Sequence, residues 1–223
     1  MIDTHTHILP GIDDGAQTVD ESLRMLRRSY IQGVKTVVLT PHFYPDMESV
    51  ESFLRRRAEA FDRLQEAVAG EKIPRLVLGA EVAWCEGLER MENIRDLTLG
   101  TSKYLLLELP YMAWTDAQID CVRQLVAASE VVPVIAHVER GLHLQRHGQL
   151  EALQELQIPM QLSSGVFRQI FGKKRALRLL SSGQWMIGSD CHNMTNRRPC
   201  MDDAARYMKD HVENPEQFLH WEF

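Results

Sequence analysis

The sequence predicts an α/β fold whose parallel strands close, or nearly close, into a barrel, and three observations carry the prediction. Strand-like and helix-like runs alternate from end to end. Seven strand-like runs can be read, each short and rich in Val, Ile or Leu. No internal repeat or Pro/Gly/Ser linker divides the 223 residues, so one domain spanning 1–223 is expected. A parallel sheet needs both faces covered, which crossover helices around a barrel provide; a doubly wound open sheet is the alternative.

The strand-like runs are Ile2 to His5, Val34 to Thr40, Arg75 to Ala80, Tyr104 to Glu108, Val131 to His137, Ile158 to Ser163 and Trp185 to Asp190. Between the first two, Val19, Leu23, Leu26 and Tyr30 share a helical face that starts at the capping box Thr18-x-x-Glu21 and stops at Gly33. A second helix runs from the cap Ser49 to Gly70 with Val50, Phe53, Leu54, Phe61, Leu64 and Val68 on its apolar face. Its Arg55, Arg56, Arg57 and Glu59 are expected on a solvated face. A third begins at Thr115 and carries Ile119, Val122 and Val126, and weaker helical patterns follow around Leu150 to Leu156 and Phe171 to Leu180.

Composition excludes several classes of function. The net charge of −6 gives no general basic field to gather nucleic acid, so any anion must be held locally. The longest apolar run, about half a dozen residues near Val131 to Ala136, is far short of the ~20 that span a bilayer. The start Met1-Ile2-Asp3-Thr4-His5 has no basic and apolar leader, and a cytoplasmic location is expected. Cys85, Cys121, Cys191 and Cys200 form no CxxC pair and read as free thiols.

Nearly every strand-like run ends in a residue able to bind a metal. The first runs into His5-Thr6-His7, the second into His42, the third into Glu81, the fourth into Glu108, the fifth into His137 and the seventh into Asp190-Cys191-His192. Asp14, in the loop Pro10-Gly11-Ile12-Asp13-Asp14-Gly15, can reach the same rim. The carboxyl ends of the strands of a parallel barrel gather at one rim, so these groups should converge. Residues two apart in an extended segment point the same way, which lets His5 and His7 grip one ion and turns Cys191 away from Asp190 and His192. Five imidazoles and four carboxylates suit two or three ions, and the absence of thiolate favours Mn, Zn or Fe. His143, His147, His211 and His220 lack this pattern and read as surface residues.

The set His5-x-His7, Pro41-His42, Gly79-Ala80-Glu81, Glu108, His137-Val138-Glu139-Arg140 and Ser189-Asp190-Cys191-His192-Asn193 resembles the PHP (polymerase and histidinol phosphatase) superfamily of metal-dependent phosphoesterases. The opening His5-Thr6-His7-Ile8-Leu9-Pro10-Gly11-Ile12-Asp13-Asp14-Gly15-Ala16, together with Phe171-Gly172-Lys173-Lys174 and Arg198-Pro199, is similar to the CpsB/CapC family of manganese-dependent protein-tyrosine phosphatases of bacterial capsule and exopolysaccharide operons. The resemblance implies a distorted (β/α)7 barrel and two to three ions, Mn²⁺ foremost with Fe or Zn as alternatives. It implies that His5, His7, Glu81 and Asp190 hold one ion, that Glu81 bridges to a second completed by Glu108 and His137, and that Asp14, His42 and His192 hold a third. Arg140, Asp190 and His42 are the catalytic candidates, and Arg140, Arg197 and Arg198 the substrate-binding ones. The implied substrate is a tyrosine-phosphorylated protein, a bacterial tyrosine kinase in the family pattern, with a small phosphomonoester such as histidinol phosphate as the alternative.

A clustered metal centre suits phosphate-ester hydrolysis, because it activates water near neutral pH and neutralises phosphoryl oxygens. Cys191-x5-Arg197 matches the bare spacing of cysteine-dependent phosphatases, but the intervening residues contain no glycine to cradle a phosphate and Asp190 opposes a thiolate. A metal-binding regulatory module without activity is the non-enzymatic alternative.

Overall fold

The computed structural model describes residues 1–146 and 148–223, so His147, read above as a surface residue, lies outside the described residues. Among the described residues nine strands are present: β1 Ile2–Thr6, β2 Thr36–Leu39, β3 His42–Phe43, β4 Arg75–Leu78, β5 Glu81–Ala83, β6 Tyr104–Glu108, β7 Val132–Ile135, β8 Pro159–Ser163 and β9 Gln184–Gly188. Every pairing is parallel, in the orders β1-β2-β4 and β3-β5-β6-β7-β8-β9.

Seven of the nine strands fall on the seven expected runs, and β3 and β5 lie just past the ends of the second and third, where the chain breaks and resumes. The first break is at Thr40-Pro41, where proline has no N–H for the ladder. The second is at Gly79-Ala80. Pairing bridges both breaks, since Gly79 N donates to Leu39 O at 2.9 Å and Glu81 N to Pro41 O at 3.0 Å. After the bend β5, and not β4, joins β6. On the other side the barrel closes between β1 and the chain after β9: Asp190 N donates to His5 O at 2.8 Å, His7 N to Cys191 O at 2.9 Å, and Thr6 bridges Cys191. The result is a closed but distorted parallel barrel.

The helices α1 Val19–Ile31, α2 Val50–Val68, α3 Asp116–Ala128, α4 Val138–Gly141, α5 Gln149–Gln154, α6 Ile170–Leu180, α7 Met201–His211 and α8 Glu216–Leu219 surround it. The expected cap residues act as caps: Thr18 accepts from Glu21 N, although the Glu21 carboxylate accepts from Gln17 N and leaves that box half made, Ser49 accepts from Ser52 N, and Thr115 forms a capping box with Gln118. Helix α7 was not foreseen, although Met201, Ala204 and Met208 bury one face at helical spacing and Asp202 and Asp203 open its first turn.

The arginine triplet of α2 departs from the expected solvated face. Arg55 is exposed, but Arg57 donates to Gly79 O at 2.8 Å and to Asp96 O at 3.2 Å. The bend between β4 and β5 turns the Gly79 carbonyl toward α2, and the guanidinium satisfies it. Arg56 and Arg63 donate to Ile12 O and Pro10 O, both at 3.1 Å, and brace the loop after β1.

Apolar residues between strands and helices form the larger core. A smaller cluster fills the barrel: Val38, Leu99, Leu106, Val134, Ala136 and Met186 are buried, with Ile2, Val77, Tyr104, Trp221 and Phe223 packed against them. Ile2 and Tyr104 begin their strands, so the Trp221 and Phe223 rings cover the amino-terminal end of the barrel and leave the carboxyl-terminal rim for the site. No helix among the described residues is long and apolar enough to cross a membrane.

Candidate metal centre

All nine residues read from the sequence as ligands meet at that rim, each delivered by local backbone. His5 lies in β1 and His7 just beyond it, with their Nε2 atoms 3.0 Å apart. Glu81 opens the short β5, a position created by the bend, and Glu108 closes β6. His137 and Asp190 lie two residues past β7 and β9 with φ of 28° and 52°, so left-handed backbone aims them inward and simple strand alternation does not describe them.

Glu81 is the hub. Its Oε2 lies 3.1 Å from His5 Nε2, 3.2 Å from His7 Nε2 and 3.0 Å from His42 Nδ1, and its Oε1 lies 2.9 Å from His137 Nε2. Asp14 Oδ1 sits 3.4 Å from His42 Nε2 and 3.2 Å from His192 Nε2. Three groups have ligand atoms within 4.8 Å of one another: His7, Asp14, His42 and His192; His5, His7 and Glu81; and His42, Glu81 and Glu108. His137 Nε2 reaches Glu108 Oε1 at 3.3 Å, and Asp190 Oδ1 lies 3.7 Å from His5 Nε2 and 3.6 Å from His7 Nε2. His7, His42 and Glu81 thus each belong to two groups, whereas the division implied by the resemblance shares only Glu81.

The donor chemistry fits metal ions on three counts. Nδ1 of His7 is 2.8 Å from the Asp13 carboxylate, Nδ1 of His5 is 3.3 Å from Gln161 Oε1, and Nδ1 of His192 is 3.1 Å from the Asp190 carbonyl. Each contact fixes the N–H on Nδ1 and leaves an Nε2 lone pair facing the centre, the usual arrangement of metal-bound imidazole. The buried atoms His42 Nδ1, Glu81 Oε2 and His192 Nε2 have no hydrogen-bond partner among the described residues. The set contains nitrogen and carboxylate oxygen without thiolate, which suits Mn, Fe or Zn over calcium or a soft metal.

Electrostatics agree. Burial alone would lower the imidazoles of His7 and His137, yet Asp13 and Glu81 for the first, and Glu108 and Glu81 for the second, raise both to about 9. Burial and neighbouring positive groups hold His192 well below its usual range. The carboxylates therefore draw positive charge into the site, and a cation there displaces protons.

Three supporting residues escaped the sequence reading. Asp13 also accepts from Gly15 N at 2.9 Å and His42 N at 3.0 Å, tying the loop to two candidate ligands. Gln161, buried in β8, accepts from His137 N at 2.6 Å as well as facing His5. Asp3 accepts from Ser189 N at 2.7 Å beneath Asp190, and burial raises its carboxyl to about 6 against the hydrogen bonds from Ser189. The signal for Asp13 was its place in the same acidic pair as Asp14; Gln161 was legible only as a polar residue in an apolar strand.

The arginines complete the site. Arg140 contacts Asp190 Oδ2, while Arg197 donates to Asp190 Oδ1 at 2.8 Å and lies 3.8 Å from Asp14. Both, with Arg198, line a cavity of about 790 Å³ that opens beside Asp190. Cys191 is 0% exposed, and burial with Asp3 nearby pushes its thiol far above the ordinary range, which is incompatible with a thiolate nucleophile. His143, His211 and His220 are exposed, as expected.

Known proteins resemble the chain in sequence and in fold. The tyrosine-protein phosphatase YwqE of Bacillus subtilis is 34% identical over 207 residues, covering 88% of this chain and 79% of the relative. A crystal structure of YwqE from Bacillus subtilis and CpsB from Streptococcus pneumoniae, described as unique metal-dependent tyrosine phosphatases, matches with a TM-score of 0.81 and 27% identity over 97% of this chain and 90% of the other. Histidinol phosphate phosphatase from Lactococcus lactis, solved with zinc, L-histidinol and phosphate, shares the fold at a TM-score of 0.58 and 13% identity, covering 94% of this chain and 92% of the other. The family model for capsular polysaccharide synthesis, CpsB/CapC, matches residues 1–218, and the chain therefore belongs to the CpsB/CapC family.

Proposed function

We infer that the protein is a metal-dependent protein-tyrosine phosphatase. The observation that carries the reading is the meeting of two guanidiniums, Arg140 and Arg197, on the carboxylate of Asp190 at the edge of the imidazole and carboxylate cluster. A phosphoryl group needs such anion-binding forks beside a centre that activates water.

We assign His5, His7, Asp14, His42, Glu81, Glu108, His137, Asp190 and His192 as the ligands, Mn²⁺ as the principal metal and three as the number of ions. The ions supply Lewis acidity and bring the pKa of water toward neutrality. The chain's own residues do the rest. Glu81 and Asp190 hold negative charge at the floor, and Arg140 and Arg197 swing from Asp190 onto phosphoryl oxygens, where charge-assisted forks gain strength as charge accumulates in the transition state. His42 is the most exposed of the five imidazoles and stacks on Tyr44 at 5.4 Å, which supports a role at the mouth. Arg198 extends the basic lip. The substrate in this reading is a phosphotyrosine of a bacterial tyrosine kinase governing capsule or exopolysaccharide synthesis. The location is the cytoplasm, a reading supported by four cysteines without a disulfide.

The test is turnover of p-nitrophenyl phosphate and a phosphotyrosyl peptide by chelator-stripped protein, before and after Mn²⁺ and after thiol alkylation. Metal-dependent, alkylation-resistant hydrolysis with peptide preference is expected. Hydrolysis without peptide preference would move the substrate to a small phosphomonoester, and none with any metal would leave a binding role.

A further inference from the structure

The cavity beside Asp190 does not end at the phosphate-binding arginines. It continues along the turn after β8 and the first turns of α6, where its lining adds Arg168, Phe171, Gly172 and Arg175. The charges along it are unevenly committed. Arg140 and Arg197 sit on Asp190, and Arg168 lies 3.6 Å from Asp203. Arg175, half-buried, is engaged by no carboxylate among the described residues. Arg198 Nε is buried without a hydrogen-bond partner and likewise lies in no ion pair among them. In a chain of net charge −6, five arginines on one cavity, with two uncommitted, are a local concentration of positive charge.

An apolar feature borders it. Phe171 is 88% exposed and Ile170 78% exposed, adjacent large side chains at the start of α6. Gly172 keeps this turn close to the cavity wall, because a Cβ there would come within 2.6 Å of Val166 O. The basic lining and the apolar lip thus belong to one segment whose position is fixed by packing.

We propose that this extension is a substrate subsite that receives an acidic residue flanking the phosphotyrosine, with the guanidinium of Arg175 forking its carboxylate and Phe171 covering the peptide backbone beside it. The proposal rests on the phosphatase reading and names the sequence context that the site selects. The half-buried guanidinium of Arg175, one of the two uncommitted ones, matches a monoanionic carboxylate bidentately, and Glu139 in the same lining disfavours a second dianion.

The experiment compares kcat/KM for three phosphotyrosyl peptides, with Glu, neutral or Lys residues flanking the phosphotyrosine, and a fourth with a flanking phosphoserine. p-Nitrophenyl phosphate turnover is measured alongside. The wild-type protein is expected to favour the Glu peptide, by roughly fivefold over the neutral one. Arg175→Ala should remove that preference through KM while p-nitrophenyl phosphate turnover stays unchanged, and Phe171→Ala should raise KM for every peptide. Arg175→Glu should reverse the order toward the Lys peptide, a gain that a merely damaged fold cannot produce. No preference among peptides in the wild type, a preference that survives Arg175→Glu, or preference for the phosphoserine peptide alone would each overturn the proposal. Absence of p-nitrophenyl phosphate and peptide hydrolysis together would instead overturn the phosphatase reading on which it rests.

Discussion

Asp13 holds His7 from behind: its carboxylate takes the Nδ1 hydrogen at 2.8 Å while Nε2 of the same ring faces Glu81 at 3.2 Å. One side of the imidazole is committed to the loop after β1 and the other to the centre, so the ring's tautomer and direction are set before any ion arrives. Replacing Asp13 by Ala leaves Nδ1 without its acceptor and should weaken metal binding by roughly 10- to 100-fold, read by titrating Mn²⁺ into chelator-stripped protein. An unchanged affinity would mean that the loop positions His7 without the carboxylate.

Glu81 touches four of the five imidazoles, so its removal should disturb more than one ion. Glu81→Gln is expected to lose at least one equivalent of bound metal by elemental analysis and to lose nearly all turnover. Full metal occupancy in that variant would contradict the hub.

Ions held by these residues would bind the folded arrangement and not the unfolded chain, which couples metal binding to stability. Chelation should lower Tm by roughly 5–10 °C, if ~2–3 kcal/mol of binding is withdrawn from a domain of this size. Thermal unfolding with and without chelator measures it, and identical curves would show that the centre adds nothing to the folded state.

Arg140 and Arg197 both lie on Asp190, and each should matter for phosphate esters of any kind. Arg140→Ala is expected to cut kcat/KM about 10²-fold for p-nitrophenyl phosphate and peptide alike, with metal content retained. A loss confined to peptides would assign Arg140 to the protein substrate instead of the phosphoryl group.

Gly15 lies so close to His7 that an added Cβ would run into the His7 backbone and come within 2.5 Å of its Cβ. Gly15→Ala should therefore destabilise the fold by roughly 1–3 kcal/mol and displace the ring, measured as a lower Tm and weaker Mn²⁺ binding together. A variant of wild-type Tm and affinity would show that the loop can yield.

The candidate ligands were legible in the sequence because chemistry there breaks a pattern: Glu108 ends a run of leucines and His137 follows Val134-Ile135-Ala136. The barrel was legible because strand and helix periods alternate. What supports the ligands was not. Asp13 and Gln161 act through contacts across 6 and 156 residues, and neither leaves a period or spacing in the chain. The bend at Gly79 and the inward turn of Arg57 depend on how neighbouring strands pair, which is decided only once the sheet exists. The left-handed backbone at His137 and Asp190 likewise follows from tertiary packing, since neither residue type demands it.

The seam that closes the barrel joins positions far apart in the chain: Thr4 bonds Ile187 across 183 residues and Asp3 bonds Ser189 across 186. His5 and His7 are synthesised well before Asp190 and His192. A growing chain therefore carries part of this residue set before there is a centre to place it in. Assembly of the site marks the last long-range closure of the fold, and high contact order makes that closure slow relative to local helix formation. The acquisition of metal is in this sense a report that the barrel has closed on itself.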